Sequence, residues 1–269
     1  MRQKTLARQI VFNGYGIHTA RFAEVIISPL KADSGLIFRS STLTSKYFYP
    51  NVRGDERGTA VIFSDGSSVQ TVEHLVSALA GLGVDNALIE IDGIEAPIKD
   101  GSAKFIAEQI LAAGLREQDK PRRLLRIAGP QKLVAEGKFI LALPAENFKV
   151  NFLLDYDNPQ AQTDLGSFDL ARDDYMRYIA PARTYGFQEE LEWLLARNKA
   201  QGASLQNAVV ISARGFSTAL RFPDELVRHK ILDFIGDIAA AGALPQAEFF
   251  VYKSGHVFNH RFVREVLAA

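Results

Sequence analysis

The sequence predicts an α+β fold built from two similar domains, each with helices on one face of a sheet. Strand-like segments dominate the first sixty residues, and helices alternate with strands after them. The two halves also resemble each other, because segments 72–75 and 227–230 each carry a histidine into a helix that is followed by a strand, a glycine-containing loop and another helix. We therefore expect domains at residues 1–120 and 121–269, packed helix layer to helix layer so that the two histidine-bearing helices meet.

Local patterns predict the individual elements in chain order. The strand-like segments are 23–27, 35–38, 59–63, 86–91, 124–127, 139–143, 150–154, 207–211 and 248–252. The helical segments are 72–82, 104–113, 189–198 and 223–241, with a final helix after His260. Residues 115–123 are charged, contain a proline and separate two apolar blocks, which predicts an inter-domain linker.

Composition excludes several functional classes. The 269 residues are 47% hydrophobic, enough for one large domain or two of ordinary size. Lys+Arg and Asp+Glu are both 31, so the basic excess typical of nucleic-acid-binding proteins is missing. The chain has no cysteine, which excludes disulfides, thiolate nucleophiles and cysteine-based zinc sites. No apolar run of about 18 residues is present, so we expect a soluble, cytoplasmic protein without a membrane span.

The long helix 223–241 carries a polar stripe. His229 and Asp233 are one turn apart, the spacing that two metal ligands on a helix need. Lys230 and Asp237 fall in the same arc of about 100°, and apolar residues occupy the other side. On this spacing alone, an ordinary amphipathic helix with a solvated polar face is the simpler interpretation.

The helix 72–82 differs, because nearly all its residues are apolar or small. It should be buried on most sides, yet it carries Glu73 and His74 next to each other. A buried carboxylate without a partner costs several kcal/mol, so Glu73 needs a hydrogen-bond partner or a wet cavity. A structural Glu or His is one interpretation. A general base beside a metal-ligand histidine, as zinc hydrolases require, is the other.

The remaining histidines carry less information. His256 follows Gly255 in a predicted turn, where either a functional or a surface histidine can stand. We interpret His18 as structural and His260 as a surface residue.

Six segments together resemble the UDP-3-O-acyl-N-acetylglucosamine deacetylases over almost the whole chain. They are Gly-Ile-His-Thr at 16–19, Thr-Val-Glu-His-Leu at 71–75, Pro-Ile-Lys-Asp-Gly-Ser at 97–102, Ala-Arg-Thr-Tyr-Gly-Phe at 182–187, Arg-His-Lys-Ile-Leu-Asp-Phe-Ile-Gly-Asp at 228–237 and Ser-Gly-His at 254–256. The resemblance implies two β-α-α-β domains with the active site between their helix layers. It also implies zinc-dependent hydrolysis of the acetamide of UDP-3-O-(3-hydroxyacyl)-N-acetylglucosamine, which releases acetate, in lipid A biosynthesis.

The resemblance also implies a role for each site residue. His74, His229 and Asp233 would bind Zn²⁺, and Glu73 would be the general base. His256 would protonate the leaving amine, Asp237 would hold the charge of His256, and Thr184 would stabilise the oxyanion. The residues that would contact the substrate are Thr59, Lys138, Tyr185 and Lys230, together with Leu191, Leu194 and Leu195 of an acyl-chain insert near 182–212.

Departures from the family pattern lie on the substrate side of the expected site. They include Gly58, Asn158 and Ala203, and they leave the metal ligands in place. Two alternatives remain open: a zinc deacetylase acting on another N-acetylated sugar, and a zinc-binding homologue without catalysis. The expected partner is the acylated UDP-sugar alone, and the expected state is a monomer.

Overall fold

The computed structural model describes residues 1–161 and 163–267 and shows a mixed α+β fold, as predicted. The strands of the first half are β1 (Arg2–Leu6), β2 (Ile10–Tyr15), β3 (Phe22–Pro29), β4 (Leu36–Ser40), β5 (Leu43–Lys46), β6 (Val52–Gly54), β7 (Thr59–Ile62), β8 (Ser68–Val69), β9 (Ala87–Asp92) and β10 (Leu115–Pro121). Its helices are α1 (Glu73–Gly81) and α2 (Lys104–Ala113).

The second half of the chain also combines strands with helices. Its strands are β11 (Leu125–Arg126), β12 (Gln131–Ala135), β13 (Lys138–Pro144), β14 (Lys149–Leu154), β15 (Asp164–Asp169), β16 (Tyr185–Phe187), β17 (Val209–Ser212), β18 (Gly215–Phe216) and β19 (Pro245–Tyr252). Its helices are α3 (Tyr175–Tyr178), α4 (Leu191–Leu195), α5 (Glu225–Ile238) and α6 (His256–Phe262), with 3₁₀ turns at Gln188–Glu190 and Ala239–Ala241 and a π-helical turn at Val263–Leu267.

The two largest sheets share one strand order. The first is β2-β3-β9-β4-β5 and the second is β12-β13-β19-β14-β15, to which β11 adds alongside β19. In both, the central strand is antiparallel to one neighbour and parallel to the other. The matched order supports the predicted similarity of the two halves, while their division into separate domains stays a prediction.

The helices α1 and α5 pack against each other. Gly236 of α5 makes the close approach possible, because a Cβ there would overlap the backbone oxygen of Glu73. Almost all of α1 is buried, as its apolar composition predicted. Because α1 carries Glu73 and His74 and α5 carries His229 and Asp233, this contact brings the two polar groups together.

Three local predictions need correction. The expected linker 115–123 is wrong, because Leu115–Pro121 forms β10, which pairs antiparallel with β1. Most side chains of β10 are exposed, so this strand has the polar composition that is also typical of a linker. The helix expected at 189–198 is shorter than predicted: the segment forms a 3₁₀ turn followed by α4, which ends at Leu195.

The third correction concerns the last helix, which begins at His256 and not after His260. Gly255 precedes it in an extended conformation and has no side chain that could cap the helix, so the sequence carries only a weak start signal there. In the part of the chain that the structure describes, no helix combines the length and the apolar character needed to cross a bilayer.

Candidate active site

Three buried side chains converge where α1 meets α5. His74, His229 and Asp233 are 6%, 2% and 3% exposed. Asp233 Oδ1 lies 3.7 Å from His74 Nε2 and 3.4 Å from His229 Nε2. One candidate ligand atom from each residue lies within 4.8 Å of the others. The predicted set is therefore close enough to share a single ion.

The pattern of made and missing hydrogen bonds around this cluster favours the binding of a metal ion. His229 Nδ1 lies 3.1 Å from the Ala182 carbonyl and donates to it, which directs the lone pair of Nε2 toward Asp233. Among the described residues, Asp233 Oδ1 and His74 Nδ1 are buried without a hydrogen-bond partner. An unpaired buried carboxylate oxygen is costly, and a cation would satisfy it. Two imidazoles and a carboxylate thus fit a divalent transition metal.

The protonation states suit this role. Burial lowers the pKa of His74 to about 3 and also lowers the pKa of His229, so both imidazoles are neutral. Burial opposes ionisation of Asp233, but His229 and Lys230 hold its pKa well below the usual range. Lys230 Nζ donates to Asp233 Oδ2 at 2.9 Å. Metal ligands need this combination of neutral imidazole and ionised carboxylate.

Glu73 lies beside the cluster and is 2% exposed. Its Oε2 accepts the Thr59 backbone N–H at 2.8 Å, which confirms the prediction that it needs a partner. Burial raises the pKa of Glu73 to about 8, with His256 opposing and Asp233 and Asp237 adding to the increase. The group can therefore bind and release a proton near neutral pH, as a general base must.

His256 pairs with a buried carboxylate. Its Nδ1 lies 2.9 Å from Asp237 Oδ2, and its Nε2 faces the cluster at 3.8 Å from Asp233 Oδ2. Burial alone would lower the pKa of His256, but the carboxylates of Asp237 and Asp233 raise it to about 9. The imidazole is therefore protonated at neutral pH and can act as an acid.

The structure overturns the simpler interpretations of several residues. The interpretation of α5 as an amphipathic helix with a solvated polar face is wrong, because His229, Asp233 and Asp237 are buried. His256 and His260 are not surface residues, since each is 8% exposed. His18 is buried at 9% exposure, in agreement with a structural role.

Two residues of α6 were missed by the sequence interpretation. Asn259 Nδ2 donates to Asp237 Oδ2 at 2.8 Å, and His260 Nε2 lies 2.9 Å from Thr59 Oγ1. They follow His256 by three and four residues, the spacing that places side chains on one helical face. This spacing could have identified both residues from the sequence. It was overlooked because the helix was predicted to begin only after His260.

Aromatic side chains border the cluster on the side of β16. The Tyr185 ring lies 6.0 Å from the His229 ring, and Lys230 Nζ lies 5.6 Å from the Tyr185 ring. The Tyr185 hydroxyl is 3.0 Å from that of Tyr156, a residue that was not predicted. Thr184 immediately precedes Tyr185, and its backbone N–H donates to the Gly101 carbonyl at 2.7 Å.

Four other residues predicted to contact the substrate lie in α4 and β13. Leu194 of α4 is 7% exposed, whereas Leu191 and Leu195 are 43% and 48% exposed. Lys138 begins β13 and is half-buried. None of the contacts described above includes these four side chains, so their roles stay predictions.

The insert that contains α4 is tied to the loop that precedes Thr59. Arg57 Nη2 lies 3.1 Å from Glu190 Oε1, and Lys199 Nζ lies 3.2 Å from Asp55 Oδ2. The next residue of that loop, Gly58, borders Glu73, because a Cβ there would lie 3.1 Å from Glu73 Oε1. The insert and the general-base candidate therefore contact the same loop.

Comparisons with known proteins give matches over almost the whole chain. The model of the UDP-3-O-acyl N-acetylglycosamine deacetylase family matches residues 3–268. A UDP-3-O-acyl-N-acetylglucosamine deacetylase from Pseudomonas entomophila is 38% identical, over 100% of this chain and 91% of its own. Proteins with the same name from Syntrophotalea carbinolica and Cellvibrio japonicus are 38% and 39% identical, over 99% of this chain and 88% and 90% of theirs.

Proposed function

The chain belongs to the UDP-3-O-acyl-N-acetylglucosamine deacetylase family, and from this membership we infer that it hydrolyses the acetamide of UDP-3-O-(3-hydroxyacyl)-N-acetylglucosamine in lipid A biosynthesis, releasing acetate. The structural observation that supports this inference is the convergence of a candidate metal-ligand set, a candidate base and a candidate acid in one buried site. Metal-assisted amide hydrolysis uses all three, since the metal polarises the carbonyl, the base deprotonates water and the acid protonates the leaving amine.

We propose that the metal is zinc and that His74, His229 and Asp233 bind it. The support is the donor set, because two imidazoles and one carboxylate are a common catalytic zinc set that leaves a position open. Zinc bound there would supply Lewis-acid chemistry, polarising the acetamide carbonyl and making water more acidic. Lys230, which donates to Asp233 Oδ2, holds the carboxylate in place so that Oδ1 faces the two imidazoles.

Glu73 is the proposed general base. The Thr59 N–H fixes its Oε2, and the missing side chain of Gly58 leaves room beside Oε1. Glu73 then takes a proton from the water that attacks the acetamide carbonyl. Its buried position keeps the carboxylate basic enough for that transfer near neutral pH.

His256 is the proposed general acid. The bond from its Nδ1 to Asp237 orients the ring so that Nε2 faces the ligand cluster. The charged ring donates its Nε2 proton to the departing glucosamine nitrogen, while the buried Asp237 stabilises the imidazolium. Base and acid thus reach the cluster from different helices, α1 and α6.

The remaining roles are proposals of the same kind. Thr184 stabilises the oxyanion, and Lys138, Tyr185 and Lys230 contact the substrate. The position of Thr59 favours a supporting role over the predicted substrate contact, because it is 1% exposed and both its N–H and its hydroxyl are bonded within the protein.

We propose that the insert near 182–212 binds the acyl chain. Leu191 and Leu195 present apolar side chains on α4 that are about half-exposed. Burying an acyl chain against them stabilises the complex by about 0.8 kcal/mol per CH₂. We also propose the two-domain organisation with the active site between the helix layers. The cytoplasmic location and the monomeric state stay predictions.

Substrate comparison tests this function. Acetate release is measured with the acylated UDP-sugar, UDP-N-acetylglucosamine without the acyl chain and a free N-acetylated sugar. We expect rapid release from the acylated substrate only. Equal release from the unacylated sugars would favour a general sugar deacetylase, and no release from any of them would favour a homologue without catalysis.

A further inference from the structure

A histidine that the mechanism does not use lies next to its proposed acid. His260 of α6 is 8% exposed, and its Nε2 is 2.9 Å from Thr59 Oγ1 and 3.4 Å from Asp237 Oδ1. Gly54 of β6 packs against this ring, because a Cβ there would lie 2.8 Å from His260 Cδ2. The ring is therefore held between β6 and the Asp237 carboxylate.

The hydrogen bonds assign the direction of each proton. Thr59 Oγ1 lies 2.6 Å from Asp237 Oδ1 and can only donate, since an ionised carboxylate accepts. A hydroxyl has a single proton, so Thr59 cannot also donate to His260. His260 must therefore carry its proton on Nε2 and donate it to Thr59 Oγ1. The result is a chain of two hydrogen bonds, in which His260 donates to Thr59 and Thr59 donates to Asp237.

The same chain of hydrogen bonds reaches His256 and Glu73, the proposed acid and base. Thr59 donates to Oδ1 of Asp237, while His256 Nδ1 and Asn259 Nδ2 donate to Oδ2 at 2.9 Å and 2.8 Å. Both oxygens are thus bonded, so the carboxylate cannot rotate away from His256. The backbone N–H of Thr59 meanwhile holds Oε2 of Glu73. One residue therefore connects the two groups that handle protons.

We propose that His260 is a positioning residue for the deacetylation reaction, which orients Asp237 and hence His256 by donating to Thr59. The proposal rests on the proposed function in that His256 is the acid being oriented. His260 itself touches neither substrate nor metal in this role. Its loss should lower kcat and leave KM and metal content unchanged, because only the orientation of the acid is affected.

Matched substitutions separate positioning from folding. His260→Gln keeps an N–H donor near the place of Nε2, and His260→Leu removes it. Thr59→Ser keeps the hydroxyl, and Thr59→Val replaces it with a methyl group of similar shape. Val257→Ala serves as a control, because Val257 lies on the same helix and is 53% exposed.

We expect His260→Leu and Thr59→Val to lower kcat by about tenfold or more, the range found for groups that orient catalytic ligands. His260→Gln, Thr59→Ser and Val257→Ala should stay within about threefold of the wild type, a loss well short of that range. Because both residues act in one chain, the double variant His260→Leu/Thr59→Val should be no slower than the slower single variant. Additive losses, or a His260→Gln variant as slow as His260→Leu, would overturn the proposal.

A measurement independent of turnover completes the test. In the zinc-loaded wild-type protein, NMR of ¹⁵N-labelled imidazoles should show a protonated His260 Nε2 whose proton exchanges slowly with water. Thr59→Val should make that proton exchange rapidly. A His260 ring without a proton on Nε2 would contradict the proposal even if the chain proved inactive on the acylated UDP-sugar, so a failure of the proposed function would be recognised separately.

Discussion

Gly236 of α5 packs directly on the backbone of Glu73 in α1, with no space between them for a side chain. This contact sets how closely the two helices approach, and therefore how close the candidate metal ligands of α1 and α5 lie to one another. The glycine has a cost, because glycine within a helix is less favourable than alanine by about 1 kcal/mol.

Gly236→Ala should therefore destabilise the protein despite the better helix propensity of alanine. Overpacking of this kind costs about 1–3 kcal/mol, and the separation of the helices should also weaken metal binding. The measurement is urea unfolding together with a metal affinity titration. Gly129→Ala is the control, because a Cβ at Gly129 would meet nothing within 4 Å. Equal stability and metal affinity in the Gly236 variant and the control would show that the close approach is not needed.

Glu73→Gln should keep the metal and lower kcat by a factor of about 100 or more, the usual contribution of a general base. In the wild type, activity should rise with pH as Glu73 loses its proton and fall as His256, with a pKa of about 9, loses its own. A cation at the ligand cluster favours the ionised carboxylate and moves the rising limb below the value of about 8 set by burial. A Glu73→Gln variant that retained near-normal turnover would place the base elsewhere.

Shortening the acyl chain of the substrate should lower kcat/KM steeply if the insert binds it. Leu194→Asp should abolish the preference for long chains and leave metal binding intact, since a charge would stand at a position that is 7% exposed. The test is a rate series over chain lengths with the wild type, Leu194→Asp and the volume-conserving control Leu194→Met. A flat series in the wild type would argue against an acyl-binding insert.

The buried pair of Arg183 and Glu225 should stabilise the segment that supports His229. Glu225 is fully buried and accepts from Arg183 Nε at 2.8 Å, and the neighbouring Ala182 carbonyl accepts from His229. Glu225→Gln should cost about 3 kcal/mol at neutral pH, because it leaves a buried guanidinium without its charge partner. The exposed pair of Arg261 and Glu265 is the control, where Arg261→Ala should cost less than about 1 kcal/mol.

The same pair predicts a pH dependence. Burial alone would raise the pKa of Glu225, but hydrogen bonds from Arg183 lower it below its ordinary value of 4.5. Its contribution should therefore be complete above pH 4.5 and be lost as the pH falls through the lower pKa of the folded state. Unfolding free energies measured between pH 7 and pH 3 should converge for the wild type and Glu225→Gln. Curves that stay parallel would show that Glu225 does not titrate in this way.

Some features of the site were accessible from local sequence patterns. The apolar composition around Glu73 and His74 predicted a buried helix that carries a polar pair, whereas the spacing of His229 and Asp233 alone favoured an amphipathic helix with a solvated polar face. The link between Thr59 and Asp237 left no such pattern, because it joins residues that are 178 positions apart. The role of α6 was missed because Gly255 has no side chain that could cap the helix and is therefore only a weak start signal. The strand β10 was missed because its pairing with β1 allows polar side chains throughout.

We propose that a zinc ion held by His74, His229 and Asp233 is required for deacetylation. The most direct measurement titrates metal-free protein with zinc and follows bound metal, by elemental analysis, together with acetate release from the acylated UDP-sugar. We predict that turnover rises in proportion to bound zinc up to one ion per chain, and that His229→Ala neither retains the ion nor turns over. Full zinc occupancy in His229→Ala, or turnover by metal-free wild-type protein, would contradict the claim.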